Sequence, residues 1–162
     1  MTLIEILISS AILAMAGIAL AAILVQSLTG WSSVASRDTA TSQATIALQK
    51  LSNDIRDGKS ASVSNDVLTV VFPLALQDPA TGEQIYDLST DDPVPRRYYI
   101  SQGDLIRSVG SNATVLGRGV GTATFAAGGG TVTVTLASSE QVGKCMSTQE
   151  VTGRIALRNY QD

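Results

Sequence analysis

The chain has 162 residues, a length typical of one domain or of one small domain with an appendage. It contains no histidine and a single cysteine, Cys145, which excludes histidine-based metal sites, Ser-His-Asp and Cys-His catalytic groups, and an intramolecular disulfide. Charged residues make up only 15% of the chain, the net charge is −3, and Glu5 is the only charged side chain before Arg37, so we expect neither an enzyme nor a protein that coats nucleic acid.

The first segment is apolar enough to cross a membrane. Residues 6–25 form a run of twenty without a charge. At ~1.5 Å rise per residue, a helix of this length covers the ~30 Å hydrocarbon core of a bilayer. A secretory signal peptide has basic residues before its apolar run and a cleavage site of small residues after it. Neither pattern is clear here, so we expect a membrane-spanning helix.

Glu5 lies at the start of this apolar run. A charged side chain at membrane depth costs about 2.5–3.5 kcal/mol on insertion scales, and such a residue usually has a partner. One helical turn separates Glu5 from the α-amino group of Met1, so the carboxylate could pair with its own N-terminus or with that of a neighbouring chain. A plain charge at the membrane surface is the alternative.

The helical pattern continues from Gln26 to Asp57 without a proline. Apolar residues recur there at helical spacing, which predicts one buried face made of Ala44, Leu48, Leu51 and Ile55. Lys50 and Asp54 are spaced for an ion pair on the outer side, and Gly58 is a helix-ending signal. We therefore predict one helix ~85 Å long, apolar all round in its first half and amphipathic in its second.

After Ser60 the composition changes to β-branched residues, glycine and short polar turns. Strands are predicted at residues 67–72, 96–101, 105–109, 122–125, 131–136 and 151–158, with a hairpin turn at residues 102–104. A long helix followed by several strands predicts an α+β fold, in which the amphipathic half-helix covers an antiparallel sheet of four to six strands.

The N-terminal sequence Met-Thr-Leu-Ile-Glu, followed by the apolar helix, resembles the mature N-terminus of the type IV pilin and pseudopilin superfamily. Thr2, Leu3, Ile4 and Glu5 match the motif, whereas Met1 replaces the more usual Phe. The resemblance implies a processed chain, cleaved by a prepilin peptidase and N-methylated at the α-amino group of Met1. It also implies that Glu5 neutralises the N-terminus of the adjacent subunit during filament assembly.

The order of three stretches, ALQKLSNDIR (47–56), RRYYISQGDLIRSVG (96–110) and VTGRIALRN (151–159), with a strand between the first two, resembles the heads of J-type minor pseudopilins and W-type pilins. We therefore expect the pilin fold, with an apolar half-helix over residues 1–28 and a head over residues 29–162. The head would contain the amphipathic half-helix (29–57) and the β-sheet (60–160). A C-terminal disulfide loop, which many major pilins have, is ruled out by the single cysteine.

The resemblance implies a structural function. The chain would wait in the bacterial inner membrane, where the assembly platform acts on it, and then join a helical homopolymer that extends outside the cell. A minor tip pilin, a J-like pseudopilin of type II secretion, and a pilin that binds DNA or a surface are the alternatives. In such filaments the helix can lose structure near its middle, so Gly17 marks either a melting point or a close helix contact.

Three further features are candidate sites. The loop predicted over residues 77–92 carries five carboxylates that could bind Ca²⁺ or form a solvated acidic surface, namely Asp78, Glu83, Asp87, Asp91 and Asp92. The predicted strand at residues 96–101 begins with Arg96, Arg97, Tyr98 and Tyr99, which could contact single-stranded DNA. Strand alternation would divide these four residues between two faces, which favours a half-buried strand. Asn112 begins a glycosylation sequon in a predicted surface turn.

Overall fold

The computed structural model describes residues 2–79 and 81–160, which form one helix and ten strands. The helix α1 spans Leu3–Ile55. The strands are β1 (Ser60–Ser64), β2 (Val67–Val71), β3 (Pro73–Gln77), β4 (Gln84–Asp91), β5 (Arg96–Ser101), β6 (Asp104–Val109), β7 (Asn112–Gly117), β8 (Val120–Gly128), β9 (Thr131–Val142) and β10 (Cys145–Ala156). The predicted α+β class is confirmed.

The helix α1 is continuous and contains no proline, and several of its hydroxyl side chains bond to its own backbone. The Ser10 hydroxyl donates to the carbonyl of Leu7 at 2.9 Å, and the Thr29 hydroxyl donates to that of Val25 at 3.1 Å. The Ser10 hydroxyl, which lies within the apolar half, is thereby satisfied inside the helix itself. Bonds of this kind reduce the number of unpaired polar atoms that a helix presents to an apolar environment.

The segment after β10 lies against the residues that follow the end of α1. The backbone N–H of Arg158 donates to the carbonyl of Arg56 at 2.7 Å, and the Asn159 side-chain amide donates to that of Asp57 at 2.9 Å. The last carbonyls of a helix have no partner within the helix. The segment after β10 bonds to the carbonyl of Arg56, the C-cap residue of the helix, and to that of Asp57, the residue after it. These bonds hold this segment at the point where the helix ends.

The strands form three antiparallel sheets. Five strands lie in the order β1-β2-β5-β6-β7, three in the order β10-β9-β8, and β3 pairs with β4 alone. Between β5 and β6, Gln102 and Gly103 have φ values of 53° and 78°, as a two-residue hairpin of the primed type requires. This is the turn that the sequence predicts.

The core lies between α1 and the two larger sheets. Ala44, Leu51 and Ile55 of the predicted helix face are fully buried, and Leu48 is half-buried. The two larger sheets contribute fully buried apolar side chains to this core, namely Leu68, Val70, Tyr98, Leu105, Val120, Val132, Val134 and Leu136. The second half of α1 is therefore a structural part of the head.

Two parts of the predicted architecture are wrong. The single sheet of four to six strands is divided into separate sheets, and β1, β3, β4 and β7 lie where no strand is predicted. Half of the predicted loop over residues 77–92 is strand β4, which pairs with β3. These strands escape prediction because β1 is short and polar and because most of β3, β4 and β7 is exposed, so none of them shows an alternating buried face.

Candidate assembly and binding sites

The first turn of α1 holds Glu5 at the end of the apolar half-helix. The backbone N–H of Thr2 donates to Oε2 of Glu5 at 2.9 Å. The carboxylate thus satisfies one of the free donors at the helix N-terminus, where the helix dipole favours negative charge. Glu5 is exposed, and a carboxylate can accept more than one hydrogen bond. Met1, the other predicted assembly residue, lies outside the described residues.

The apolar half of α1 has no covering layer in the single chain. From Leu3 to Leu28, every Leu, Ile, Met and Val side chain is at least 57% exposed. By length and composition this segment is a candidate membrane span. A surface this long and apolar requires lipid or other helices around it.

Gly17 lies in the middle of this apolar half. The helix is continuous through it, and a side chain placed there would meet no atom within 4 Å. In the single chain, Gly17 therefore makes no close contact. Its two predicted roles, local melting or close helix packing, both concern the assembled state and stay predictions.

The five acidic candidates lie along the hairpin of β3 and β4 and in the residues that follow it. Most engage different neighbours: Asp78 accepts from Thr81 at 3.0 Å, Asp91 pairs with Lys59 at 2.6 Å, and Asp92 accepts from the Val94 N–H at 2.9 Å. Within residues 2–79 and 81–160, no group of three or more His, Cys, Asp or Glu side chains is placed to hold a metal ion. The structure does not bring the five carboxylates together.

Asp87 is held differently from the other four. Its Oδ1 accepts hydrogen bonds from the Ser89 hydroxyl at 2.6 Å and the Ser89 N–H at 2.9 Å, and its Oδ2 accepts one from the Thr90 hydroxyl at 2.8 Å. These bonds, chiefly that from the Ser89 hydroxyl, lower the pKa of the Asp87 carboxyl from its ordinary value of 3.8 to about 2. Both oxygens of this carboxylate thus accept hydrogen bonds from neighbouring residues of the same strand.

The four aromatic and basic candidates at the start of β5 are divided between two faces. Arg96 and Tyr98 point toward α1, where both contact Asp54. Arg97 and Tyr99 lie on the opposite face. The arrangement follows the alternation expected of a strand and leaves no patch in which all four could contact one ligand.

Asp54 is the centre of a cluster that the sequence pattern misses. Its Oδ1 accepts from Arg96 at 3.1 Å and from Arg107 at 2.9 Å, and its Oδ2 accepts from the Tyr98 hydroxyl at 3.0 Å. Asp54 is therefore directed toward the sheet, which corrects the predicted pair with Lys50. Burial, together with the adjacent Asp54 charge, raises the pKa of the Tyr98 hydroxyl well above its usual range.

Next to this cluster, a cleft of about 460 Å³ lies between the end of α1 and the β3–β4 hairpin. Its walls carry carboxylates and guanidinium groups of opposite sign. Arg96 is paired with Asp54, and Arg158 with Asp57 at 3.4 Å, so both cations of the cleft already have partners. The guanidinium of Arg96 also stacks on Phe72, 3.9 Å from the ring centre.

Two remaining candidates lie in strands. Asn112 is exposed, as predicted, but it is the first residue of β7 and lies directly after a turn, not within one. Cys145 is the first residue of β10 and is a free, half-exposed thiol. The Ser32 hydroxyl donates to Sγ of Cys145 at 3.4 Å, and Sγ also lies 3.9 Å from the carbonyl of Thr29. The tip of the β9–β10 hairpin therefore lies against α1 at this level.

The chain matches no protein-family model, no curated protein and no solved structure.

Proposed function

We propose that this chain is a structural subunit of a type IV pilus-like filament, held in the bacterial inner membrane before assembly. The observation that carries the proposal is the exposed apolar half of α1, whose first turn holds Glu5 and which ends where the head begins. The pilin-like N-terminal motif and the α+β architecture support it. Before assembly lipid surrounds the helix, and afterwards the same helices of neighbouring copies replace the lipid.

Assembly in this proposal is a repeated contact between unlike surfaces of identical chains. Such head-to-tail contacts generate open helical filaments. The apolar half offers small residues for close approach between helices, among them Gly17. The filament extends outside the cell, and its formation requires a prepilin peptidase and an inner-membrane assembly platform, as the resemblance implies.

Glu5 has a specific role in the proposal. Its Oε2 accepts the Thr2 N–H of the same chain, and Oε1 is the atom we assign to the α-amino group of a neighbouring subunit. In an apolar filament core, an ammonium and a carboxylate stabilise each other far more than in water. The pairing would therefore set the axial position at which a new subunit binds.

The test is the variant Glu5→Gln in cells that assemble the filament. We expect normal membrane insertion, because loss of a charge makes a helix easier to insert. Filament yield should fall by roughly tenfold or more, the equivalent of losing about 1.4 kcal/mol of binding free energy per subunit. Alkaline extraction measures insertion, and electron microscopy of sheared filaments measures yield.

Glu150→Gln is the matched control, because Glu150 is an exposed carboxylate on β10 in the head. It should leave both insertion and yield unchanged. Normal filament yield from Glu5→Gln would remove the proposed role of Glu5. An equal loss from both variants would show that yield follows overall charge instead.

A minor subunit at the filament tip, or a pseudopilin in type II secretion, is the second candidate. The observation that favours it is the β3–β4 hairpin, whose apolar side chains Ile85, Tyr86 and Leu88 are 43–59% exposed and could contact a different protein or a surface. Immunogold labelling of the head distinguishes the two functions. Label along the whole filament identifies the repeating subunit, and label at one end identifies a tip subunit.

A further inference from the structure

We infer that the tip of the β9–β10 hairpin and the adjacent turn of α1 form a membrane-contacting surface that rests on an anionic phospholipid bilayer. We call it the tip surface and define it by Trp31 of α1 and by Lys144 and Met146 of the hairpin. The inference depends on the membrane stage of the proposed function. It adds where the head lies relative to the membrane before assembly.

The hairpin lies along α1 with its tip toward the apolar half. A side chain placed at Gly153 would contact Leu48, which marks the far end of the overlap. At the near end, Sγ of Cys145 lies 3.4 Å from the Ser32 hydroxyl oxygen and 3.9 Å from the Thr29 carbonyl oxygen. The tip therefore reaches the level of residues 29–32.

That level is where the membrane surface must lie if the apolar half spans the bilayer. Leu28 is the last large aliphatic residue of the apolar half and is 70% exposed. Trp31 follows three residues later, about 4.5 Å along the helix axis. Its side chain is 77% exposed, and tryptophan is enriched at this depth because its ring is apolar and its N–H is polar.

Where the tip of the hairpin meets the helix, the charge is positive. Among residues 27–36 and 141–146, the two segments that meet there, Lys144 is the only charged residue. The next charge on the hairpin, Glu140, pairs in register with Ser147, and its carboxylate contacts Gln43, further from the tip. Lys144 is exposed and forms no ion pair within the described part of the chain. One cation near an anionic lipid surface contributes about 1 kcal/mol. Met146, two residues on, is 71% exposed and adds apolar surface.

Trp31 allows a direct measurement, because it is the only tryptophan in the chain. The full chain is reconstituted into vesicles of phosphatidylcholine and phosphatidylglycerol whose acyl chains carry bromine either near the headgroup or near the chain end. Bromine quenches tryptophan on contact. We expect quenching by the shallow bromine to exceed that by the deep bromine about twofold, because the ring lies at the interface.

The hairpin needs its own probe. An environment-sensitive fluorophore is attached to the thiol introduced at position 146 in the double variant Cys145→Ser, Met146→Cys. In the control it is attached to the thiol introduced at position 150 in Cys145→Ser, Glu150→Cys. The two sites share a strand face and are about 13 Å apart. We expect shallow bromine to quench the label at position 146 and to leave the label at position 150 unquenched.

The charge is tested in the chain labelled at position 146. Lys144→Gln should lower the ratio of docked to undocked tip about fivefold in anionic vesicles, which corresponds to about 1 kcal/mol, and should have no effect in neutral vesicles. Arg154→Gln is the control, since it removes an exposed cation from the same strand well away from the tip. It should change nothing.

Three results would overturn the inference. First, the label at position 146 could be as unquenched as that at position 150 while the chain still resists alkaline extraction. The tip then does not touch lipid, although the chain is inserted in the membrane. Shielding of the label only in assembled filaments shows that a second copy, and not lipid, covers the tip surface. Release of the chain by alkali rejects the membrane stage itself, and the inference fails with it.

Discussion

At the scale of single residues, Asp54 joins the helix to the sheet. Its carboxylate lies on α1, and its three partners Arg96, Tyr98 and Arg107 lie on β5 and β6. The Asp54 side chain is only 13% exposed, so it depends on these partners for the hydrogen bonds that water would otherwise supply. The Nε of Arg107 is buried without a partner among the described atoms, so this guanidinium is satisfied mainly through Asp54.

We expect Asp54→Ala to lower the free energy of unfolding of the head by about 2–3 kcal/mol. Removing one member of a buried ion pair costs about 3–5 kcal/mol, and the partial exposure of both arginines reduces that figure. Urea unfolding of the full chain in detergent, followed by near-ultraviolet circular dichroism of its tyrosines, measures the change.

The control is Asp57→Ala, which breaks the pair between Asp57 and Arg158. Both side chains are more than 60% exposed, at 61% and 62%, so this loss should be below about 1 kcal/mol. Equal losses for the two variants would show that Asp54 contributes no more than a surface charge.

Asp87 should make the stability of the head depend on pH in the acidic range. Its folded-state pKa of about 2 lies below its ordinary value of 3.8. The hydrogen bonds to Asp87 therefore stabilise the fold above pH 3.8, and this contribution is lost as the pH falls toward 2. The Ser89 hydroxyl is the main cause, so Ser89→Ala should raise the pKa of Asp87 toward its ordinary value.

An NMR titration of the Asp87 carboxyl carbon measures that pKa in the natural chain and in the variant. Ser62→Ala, which removes an exposed hydroxyl from β1, should leave it unchanged. A pKa of Asp87 that does not move in Ser89→Ala would show that the hydroxyl contact is not kept in solution.

At the scale of elements, α1 lies close to the sheets because small residues line the contact. Ala40, Ala44 and Ala47 are fully buried on the helix side. On the sheet side, a Cβ at Gly117 would overlap Ala47, and a Cβ at Gly153 would lie 2.8 Å from Leu48. The helix could not approach to this distance over larger side chains.

We expect Gly117→Ala to destabilise the head by about 1–3 kcal/mol, because α1 or β7 must move to admit the new methyl group. Gly121→Ala is the matched control, because its Cβ would lie 3.8 Å from the nearest atom and its φ is not positive. Thermal unfolding of both variants measures the difference. A Gly117→Ala head as stable as the Gly121→Ala head would show that the contact is loose.

The sequence is informative about elements wherever a periodic face is buried. The helix is predicted because Ala44, Leu51 and Ile55 recur at helical spacing, and β9 because residues 131–136 alternate. The hairpin of β3 and β4 has no such signal, since these strands pair only with each other and stay largely exposed. The Asp54 cluster is missed for another reason: its partners are 42–53 residues away along the chain, whereas Lys50 is one turn away.

At the scale of the whole molecule, α1 has two halves with different surroundings. Large side chains up to Leu28 are exposed, whereas buried residues begin at Ser36 and recur through Ile55. The contacts between the head and α1 begin at Thr29, where Cys145 approaches the helix. The head therefore makes its contacts with the second half of the helix.

This division predicts that the head folds without the first half of α1. Removing residues 1–28 deletes most of the exposed apolar surface and keeps the buried helix face of Ala40, Ala44, Ala47, Leu51 and Ile55. The remaining chain should be a soluble monomer that unfolds cooperatively, and reductant should not change its stability, because Cys145 has no intramolecular partner for a disulfide. Sedimentation measures the mass, and urea unfolding measures the stability.

The matched control removes residues 1–50, which also takes away the buried alanines and leaves the sheets without their covering layer. We expect this shorter chain to be unfolded or aggregated, while the full chain should require detergent or form filaments. A 29–162 chain that does not fold, or that folds only as an obligate oligomer in dilute solution, would contradict the division. In that case the apolar half of α1 would contribute to the stability of the head as well as to membrane insertion.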